Sequence, residues 1–267
     1  MVPEEKRTRL FLHLKKWLEK AVMDYSMIAE EDKVLVGVSG GMDSMALLDL
    51  LNTPMVHVPP FSLTAVHIDP GFDLDGAGSG ILARHLKAGG YDAIVEKSDI
   101  GPLSHSEVNR KNPCFLCSWE RRKRLFRLAH QLQCNKVALG HHKDDIIETL
   151  LLNIFYSGEI STMLPLQTLF KGKITLIRPL ALIEEKKIKR FAQEMDLPFG
   201  PSGCPSSGKT KRKEVKELIE AVQMKNHRVK GNIFRSLSNV KLDYTLTEWG
   251  KKSPITSSLS PLEKRER

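Results

Sequence analysis

VLVGVSGGMDSMALL, residues Val34 to Leu48, spells a strand, a glycine turn and a helix start in immediate succession. Val34 to Val38 is a short apolar run rich in β-branched residues, the pattern of a buried strand in a parallel sheet. Ser39-Gly40-Gly41-Met42-Asp43-Ser44 follows, and an apolar helical run begins at once. Two adjacent glycines let the backbone approach an anion closely. The first turn of a helix leaves N–H groups unpaired, and these point at the turn. Ser39 and Ser44 add hydroxyls, so the stretch reads as a pocket for phosphate or pyrophosphate. The spacing is neither that of the ATPase P-loop nor that of the dinucleotide fingerprint. A plain helix cap served by Asp43 or Ser39 is the simpler alternative.

The rest of the chain bounds what such a pocket can serve. Its 267 residues, 41% hydrophobic, suffice for one substantial core with a small appendage. No apolar stretch approaches membrane-spanning length. MVPEEKRTRL at the start carries no apolar signal segment, so a cytoplasmic location is the expectation. Lys and Arg total 41 against 32 Asp and Glu, a net charge of +9 that suits a polyanion such as RNA. Aromatics are only 6%, so no platform for stacking bare bases is advertised. Four cysteines, at 114, 117, 134 and 204, do not make a disulfide framework in a cytosolic chain of this size.

Taken in order, residues 1–30 read as an amphipathic helix. Phe11, Leu14, Leu18, Ala21, Val22, Tyr25 and Ile28 recur at helical spacing, opposite a basic face that packs outward or meets RNA. Phe61 to Ile68 is a second strand ending in His67-Ile68-Asp69, and the C-terminal end of a parallel strand faces the ligand crevice. A helix near 81–88, a strand at 91–95, a polar loop over 101–113 and a helix with its body at 120–131 follow. Then come a strand at 135–140, a helix at 146–155, a loop at 157–172, a strand at 174–178 and a helix at 184–195. Strands alternating with helices imply βαβ units and an α/β parallel sheet. Residues 201–248 hold the Cys204 loop and basic helices, and 249–267 has the composition of a disordered tail.

Cys114-Phe115-Leu116-Cys117 places two thiols within reach of one metal, one cluster or one another. Cys204 stands in a Gly, Ser and Pro loop rather than in apolar surroundings. Three such cysteines fit an iron–sulfur cluster with one iron free of protein ligands, and equally a zinc with water or His as its fourth ligand. Asp43, Asp69, Asp144 and Asp145 fall at the expected ligand end of the sheet, where carboxylates hold the magnesium that accompanies ATP. Lys143 suits phosphate oxygens, and His67 and His141 suit ligand contacts.

SGGMDS after an apolar strand, with GHHKDDIIETLLLN about a hundred residues on, resembles the PP-loop ATP pyrophosphatases. Within them, PCFLCSWERRKRLF, IRPL and the later Cys204 resemble the tRNA 2-thiocytidine synthetase type, the cluster-dependent tRNA thiolases. The resemblance covers roughly residues 15–220. It implies a Rossmann-like, adenine nucleotide alpha hydrolase-like sheet over 31–200. ATP and Mg²⁺ would be served by Ser39, Gly40, Gly41, Asp43, Ser44, Gly140, Lys143 and Asp145, with His67 near the adenosine. It further implies a 4Fe-4S cluster on Cys114, Cys117 and Cys204, with these cysteines, Asp43 and Asp145 doing the chemistry. tRNA would be the substrate, a sulfur donor protein or sulfide the source of sulfur, and the enzyme a homodimer. Met42 stands where many members carry Lys. Adenylation of another tRNA base or a small molecule, and a non-catalytic basic RNA-binding protein, are the rival functions.

Overall fold

The computed structural model describes residues 8–72, 77–109, 113–199, 204–206 and 210–244. The tail expected at 249–267 lies outside them, as do Lys6 and Arg7. The chain runs α1 (Arg9–Asp24), β1 (Asp32–Gly37), α2 (Met42–Leu51), β2 (Phe61–Asp69), α3 (Ala77–Ala88) and β3 (Ala93–Lys97). It continues through α4 (Ile100–Ser104), α5 (Pro113–Gln131), β4 (Lys136–Leu139), α6 (Lys143–Ser157), β5 (Leu166–Leu169) and β6 (Ile174–Ile177). The last described helices are α7 (Glu185–Glu194), α8 (Lys211–Lys225) and α9 (Val229–Ser236).

One sheet carries all six strands in the order β3-β2-β1-β4-β6-β5. Every pairing is parallel except β5 with β6. The strand order reverses direction between β1 and β4, and open parallel sheets bind ligands at the strand ends beside such a switch. β1 shows why its sequence is apolar throughout. Val34 and Val36 enter a core with Phe11, Leu14 and Leu18 of α1, Leu47 of α2 and Phe191 of α7. Leu35 enters a separate core on the other face with Leu125 and Ala129 of α5. A strand covered on both faces has no polar side to alternate.

Several expected boundaries move for identifiable reasons. α1 stops at Asp24 because Ser26 takes φ 48° and the Met27 N–H closes onto Val22 O. Tyr25 is therefore exposed rather than part of the buried stripe. β5 sits in the stretch read as loop: it is a four-residue edge strand, too short for a period to show. It turns into β6 through Phe170 and Lys171, both at positive φ. α4 occupies the expected polar loop. α5 starts at Pro113, before the cysteines and not after them, because proline is preorganised for the first helical position. α6 starts at Lys143, capped by His142. Its Ile147 packs with Val215 and Ile219 of α8, which seats the C-terminal helices against α6.

Candidate active site at the ends of the strands

The glycine turn lies where β1 meets α2. Gly40 takes φ +82°, a conformation that a side chain would strain. Ser44 is buried and holds the turn from inside. Its Oγ accepts from the Ser39 N–H at 3.0 Å and donates to Gly41 O at 2.9 Å. Ser39 Oγ is left to donate to Ser44 Oγ, 3.0 Å away, and accepts from the Gly41 N–H at 3.3 Å. Gly41 itself is the N-cap of α2, and no side chain caps the helix. The capping role considered for Asp43 or Ser39 is therefore absent, and the first-turn N–H groups face outward for an anion. Gly140 backs the turn from the end of β4. A Cβ there would stand 2.9 Å from both Asp43 C and Ser44 N.

Carboxylates gather beside the turn. Asp43 Oδ1 is buried without a hydrogen-bond partner. Burial pushes its carboxyl up, opposed by His142, whose Nε2 lies 3.8 Å away. Asp145 closes a capping box: its Oδ2 accepts from the His142 N–H, and His142 Nδ1 accepts from the Asp145 N–H. Its Oδ1 accepts from Arg212 of α8 at 2.8 Å, and the same guanidinium reaches Glu148 Oε2 at 3.3 Å. Asp144 Oδ1 pairs with Lys230 of α9 at 2.6 Å, and Oδ2 accepts from the Glu185 N–H. Burial works against an ionised Glu185, yet Lys189 and Lys216 hold its carboxyl down to about 2. Arg212 and Lys216, in the stretch read as basic helices, are thus committed to carboxylates.

A cleft of about 210 Å³ opens on the α5 side of the turn. Gly37, Val38 and Ser39 line it with Val66 and Ile68 of β2, Leu139 of β4 and His141 just beyond it, and Ser118, Arg121, Arg122 and Leu125 of α5. Burial lowers His141 to about 4, so the ring is neutral at pH 7. Arg178 Nε donates to its Nδ1 at 3.4 Å, which puts the ring proton on Nε2. The other arginines of α5 face away: Arg124 and Arg127 both pair with Glu96.

Cys117 directly precedes Ser118 and feels the charge of Arg121, so the cysteines stand beside the α5 wall of the cleft. Cys114 and Cys117 sit one turn apart on the start of α5, and Cys204 comes across from the C-terminal loop to within 3.9 Å of His105 Nε2. All three are free thiols. Burial pushes the Cys117 thiol up, Arg121 pulls it down, and Cys204 and Cys114 push it up again, so the three act on one another. Among the described residues no three His, Cys, Asp or Glu side chains stand close enough to chelate a single ion. Three thiols that feel one another's charge are the donor set that an iron–sulfur cluster takes.

Comparison with known proteins fits this geometry. A model of the PP-loop domain matches residues 10–221. The chain belongs to the PP-loop domain family. Among curated PP-loop relatives, the tRNA-cytidine(32) 2-sulfurtransferase of Geotalea uraniireducens (strain Rf4) is 37% identical over 242 residues, covering 89% of this chain and 95% of the relative. The protein of the same name from Citrifermentans bemidjiense (strain ATCC BAA-1014 / DSM 16622 / JCM 12645 / Bem) is 39% identical over 235 residues, covering 86% and 91%. A solved structure, the U34-tRNA thiolase NcsA from Methanococcus maripaludis with its [4Fe-4S] cluster, aligns with TM-score 0.70 and 24% identity. The alignment covers 86% of this chain and 78% of that one. At that identity the likeness establishes the fold, an α/β sheet of the Rossmann-like kind expected from the sequence.

Most of the expected PP-loop residues converge. Ser39, Gly40, Gly41, Asp43 and Ser44 form the turn and Gly140 supports it, while Cys114, Cys117 and Cys204 gather at the start of α5. Three of the expected residues are engaged with protein groups. His67 is buried, its Nδ1 donating to Val38 O at 2.8 Å and its Nε2 3.4 Å from Ser79 Oγ, so it braces the strand that carries the PP-loop. Lys143 turns to Glu184 and the ring of Phe234. Asp145 has both oxygens engaged. Arg121 and Arg122, which the sequence places in the body of the helix after the cysteines, line the cleft. Their signal was helical spacing from the cysteines: 117, 121 and 125, with 118 and 122, fall on one face once the helix starts at Pro113.

Proposed function

We propose that this chain is an ATP-dependent tRNA sulfurtransferase that replaces the C2 oxygen of a cytidine by sulfur, the position-32 cytidine named in its relatives being the target. One observation carries the reading: α5 lines the cleft beside the PP-loop with Ser118, Arg121 and Arg122 and carries Cys114 and Cys117 in its first turns. An adenylating site and a sulfur site must share a substrate atom, and this cleft lets them. The close relatives named for this activity, matched over nearly their whole length, support it.

In this reading the turn N–H groups bind the pyrophosphate of ATP, and the unpartnered Asp43 Oδ1 is the oxygen available to Mg²⁺. The cytosine C2 oxygen attacks the α-phosphorus and pyrophosphate leaves. Arg121 and Arg122 stabilise the charge on the transferring group, and the neutral His141 offers its Nε2–H to the same space. Sulfide then attacks C2, the C–O bond breaks, and AMP departs with the oxygen. Cys114, Cys117 and Cys204 would hold a 4Fe-4S cluster, whose chemistry would be to deliver sulfur through an iron free of protein ligands. The target base leaves its stack to enter, which costs little in a tRNA loop. Residues 201–248 form the RNA-facing addition. The family resemblance extends the reading to a cytoplasmic homodimer fed by sulfide or a sulfur donor protein. Among the described residues no helix is long and apolar enough to cross a membrane.

The test is anaerobic turnover with ATP and unmodified tRNA. AMP should form only when tRNA is present, and Cys204→Ser should abolish sulfur insertion while ATP binding persists. AMP formation that ignores tRNA, or full sulfur insertion by Cys204→Ser, would count against the reading.

A further inference from the structure

α4 packs against the start of α5, and its last residue and its C-cap reach different members of the cysteine group. Ser104 is fully buried, and its Oγ has no well-formed hydrogen bond. The group that this hydroxyl faces is the Cys117 thiol. A buried hydroxyl that lacks a well-formed hydrogen bond is unfavourable by about 1–3 kcal/mol, so Ser104 has a hydrogen to give to the Cys117 sulfur or to a sulfur bound beside it.

His105, the next residue, faces Cys204. Its ring is fixed on two sides. Nδ1 donates to Gly101 O at 3.0 Å, since a carbonyl can only accept. The edge of the ring meets Phe72, with centroids 5.2 Å apart. With the proton on Nδ1, Nε2 carries a lone pair. It accepts from Ser206 Oγ at 2.9 Å, and Cys204 Sγ lies 3.9 Å from the same nitrogen. These contacts span about a hundred positions of sequence and join the Cys204 loop to the element that packs on Cys117. Gly101 permits the approach: a Cβ there would meet the Phe72 ring and Pro70 O at 2.7 Å.

We propose that Ser104 and His105 are positioning residues of the cysteine site: His105 latches the Cys204 loop through Ser206, and Ser104 donates its hydroxyl hydrogen to a sulfur of the bound cluster or of Cys117. This rests on the cluster assignment above. The two roles separate. Thiolate ligation removes the Cys204 proton but leaves the His105–Ser206 bond intact, so the latch serves the loaded site as well as the empty one. A hydrogen bond to sulfur stabilises the more negative, reduced form and raises the potential.

The experiment uses the full chain reconstituted anaerobically with iron and sulfide. It reads iron and sulfide per chain, the midpoint potential, and the rate of iron loss to a chelator. Ser104→Ala should keep its full iron content and shift the potential negative. His105→Ala and Ser206→Ala should each lose iron several-fold faster than wild type. The double variant should be no faster than either single one, because both remove the same bond. His105→Gln, which keeps an acceptor, should recover most of the retention. Far-UV circular dichroism and unfolding midpoints identify any variant that fails to fold; Ser104→Cys then replaces Ser104→Ala, and His105→Asn replaces His105→Ala. An unshifted potential in the Ser104 variant, or unchanged iron loss in the His105 variant, overturns the inference while leaving the cluster standing. A wild-type chain that takes up no iron overturns the cluster assignment itself, and this inference with it.

Discussion

Gly140 and His141, adjacent at the end of β4, do different work for the same cleft. Gly140 lets α2 start against the strand, where no Cβ fits beside the Asp43 and Ser44 backbone. Gly140→Ala should destabilise the fold by about 1–3 kcal/mol, as overpacking does. It should also weaken ATP binding about tenfold, which corresponds to about 1.4 kcal/mol; denaturant unfolding and calorimetric titration check both. His141 makes stability depend on pH. Burial holds its folded pKa near 4, below the 6.5 of the free side chain. Its contribution is full above about 6.5 and is lost as pH falls toward 4, because the unfolded chain takes the proton first. His141→Asn should flatten the loss of stability over that window relative to wild type, as measured by urea unfolding at each pH. A slope unchanged by the substitution would sink that assignment. The residues of the turn were legible in sequence because their chemistry is local: glycine freedom, helix N–H groups and hydroxyls all lie within six positions. The need for glycine at 140 and the neutrality of His141 arise from tertiary approach, which no local pattern records.

At the scale of elements, α5 is the piece that joins the two halves of the site. It carries the cysteines in its first turns and the cleft arginines one and two turns further on. Arg121→Ala should lower sulfur insertion at least tenfold, whereas Arg127→Ala, largely exposed beside Glu96, should stay within about twofold. Equal losses would mean that the helix acts as an undifferentiated basic surface. The strand–turn–helix at 34–48 and the parallel strands around it were readable because both-face burial leaves a continuous apolar run. β5 was not, because an edge strand this short has no period. The start of α5 was missed because Asn-Pro-Cys reads as a loop, while the proline was in fact the first helical residue. That one boundary hid the shared face of Cys117, Ser118, Arg121 and Arg122.

The whole molecule pairs charges across long stretches of chain. A net charge of +9 suggested a free basic surface, yet Arg212, Lys216 and Lys230 sit on Asp145, Glu148, Glu185 and Asp144. These cations bind the C-terminal helices to the ATP end of the sheet, just beyond the loop that delivers Cys204. Arg212→Ala leaves the largely buried Glu148 without its cation. With Arg212 itself partly exposed, the expected loss is about 1–2 kcal/mol in urea unfolding. It should be accompanied by faster proteolysis of the C-terminal helices. Pairings thirty or more positions apart leave no trace in local sequence, so this clamp was unreadable, while the two motifs it brings together were plain.

The central claim is sulfur insertion at C2 of cytidine. Its most direct measurement is mass spectrometry of nucleosides from tRNA incubated anaerobically with the reconstituted protein, ATP and sulfide. The account predicts 2-thiocytidine that is formed with ATP, is missing without it, and is missing with Cys114→Ser. Thiolated uridine in its place, or no thionucleoside from a protein carrying its full complement of iron, would contradict it.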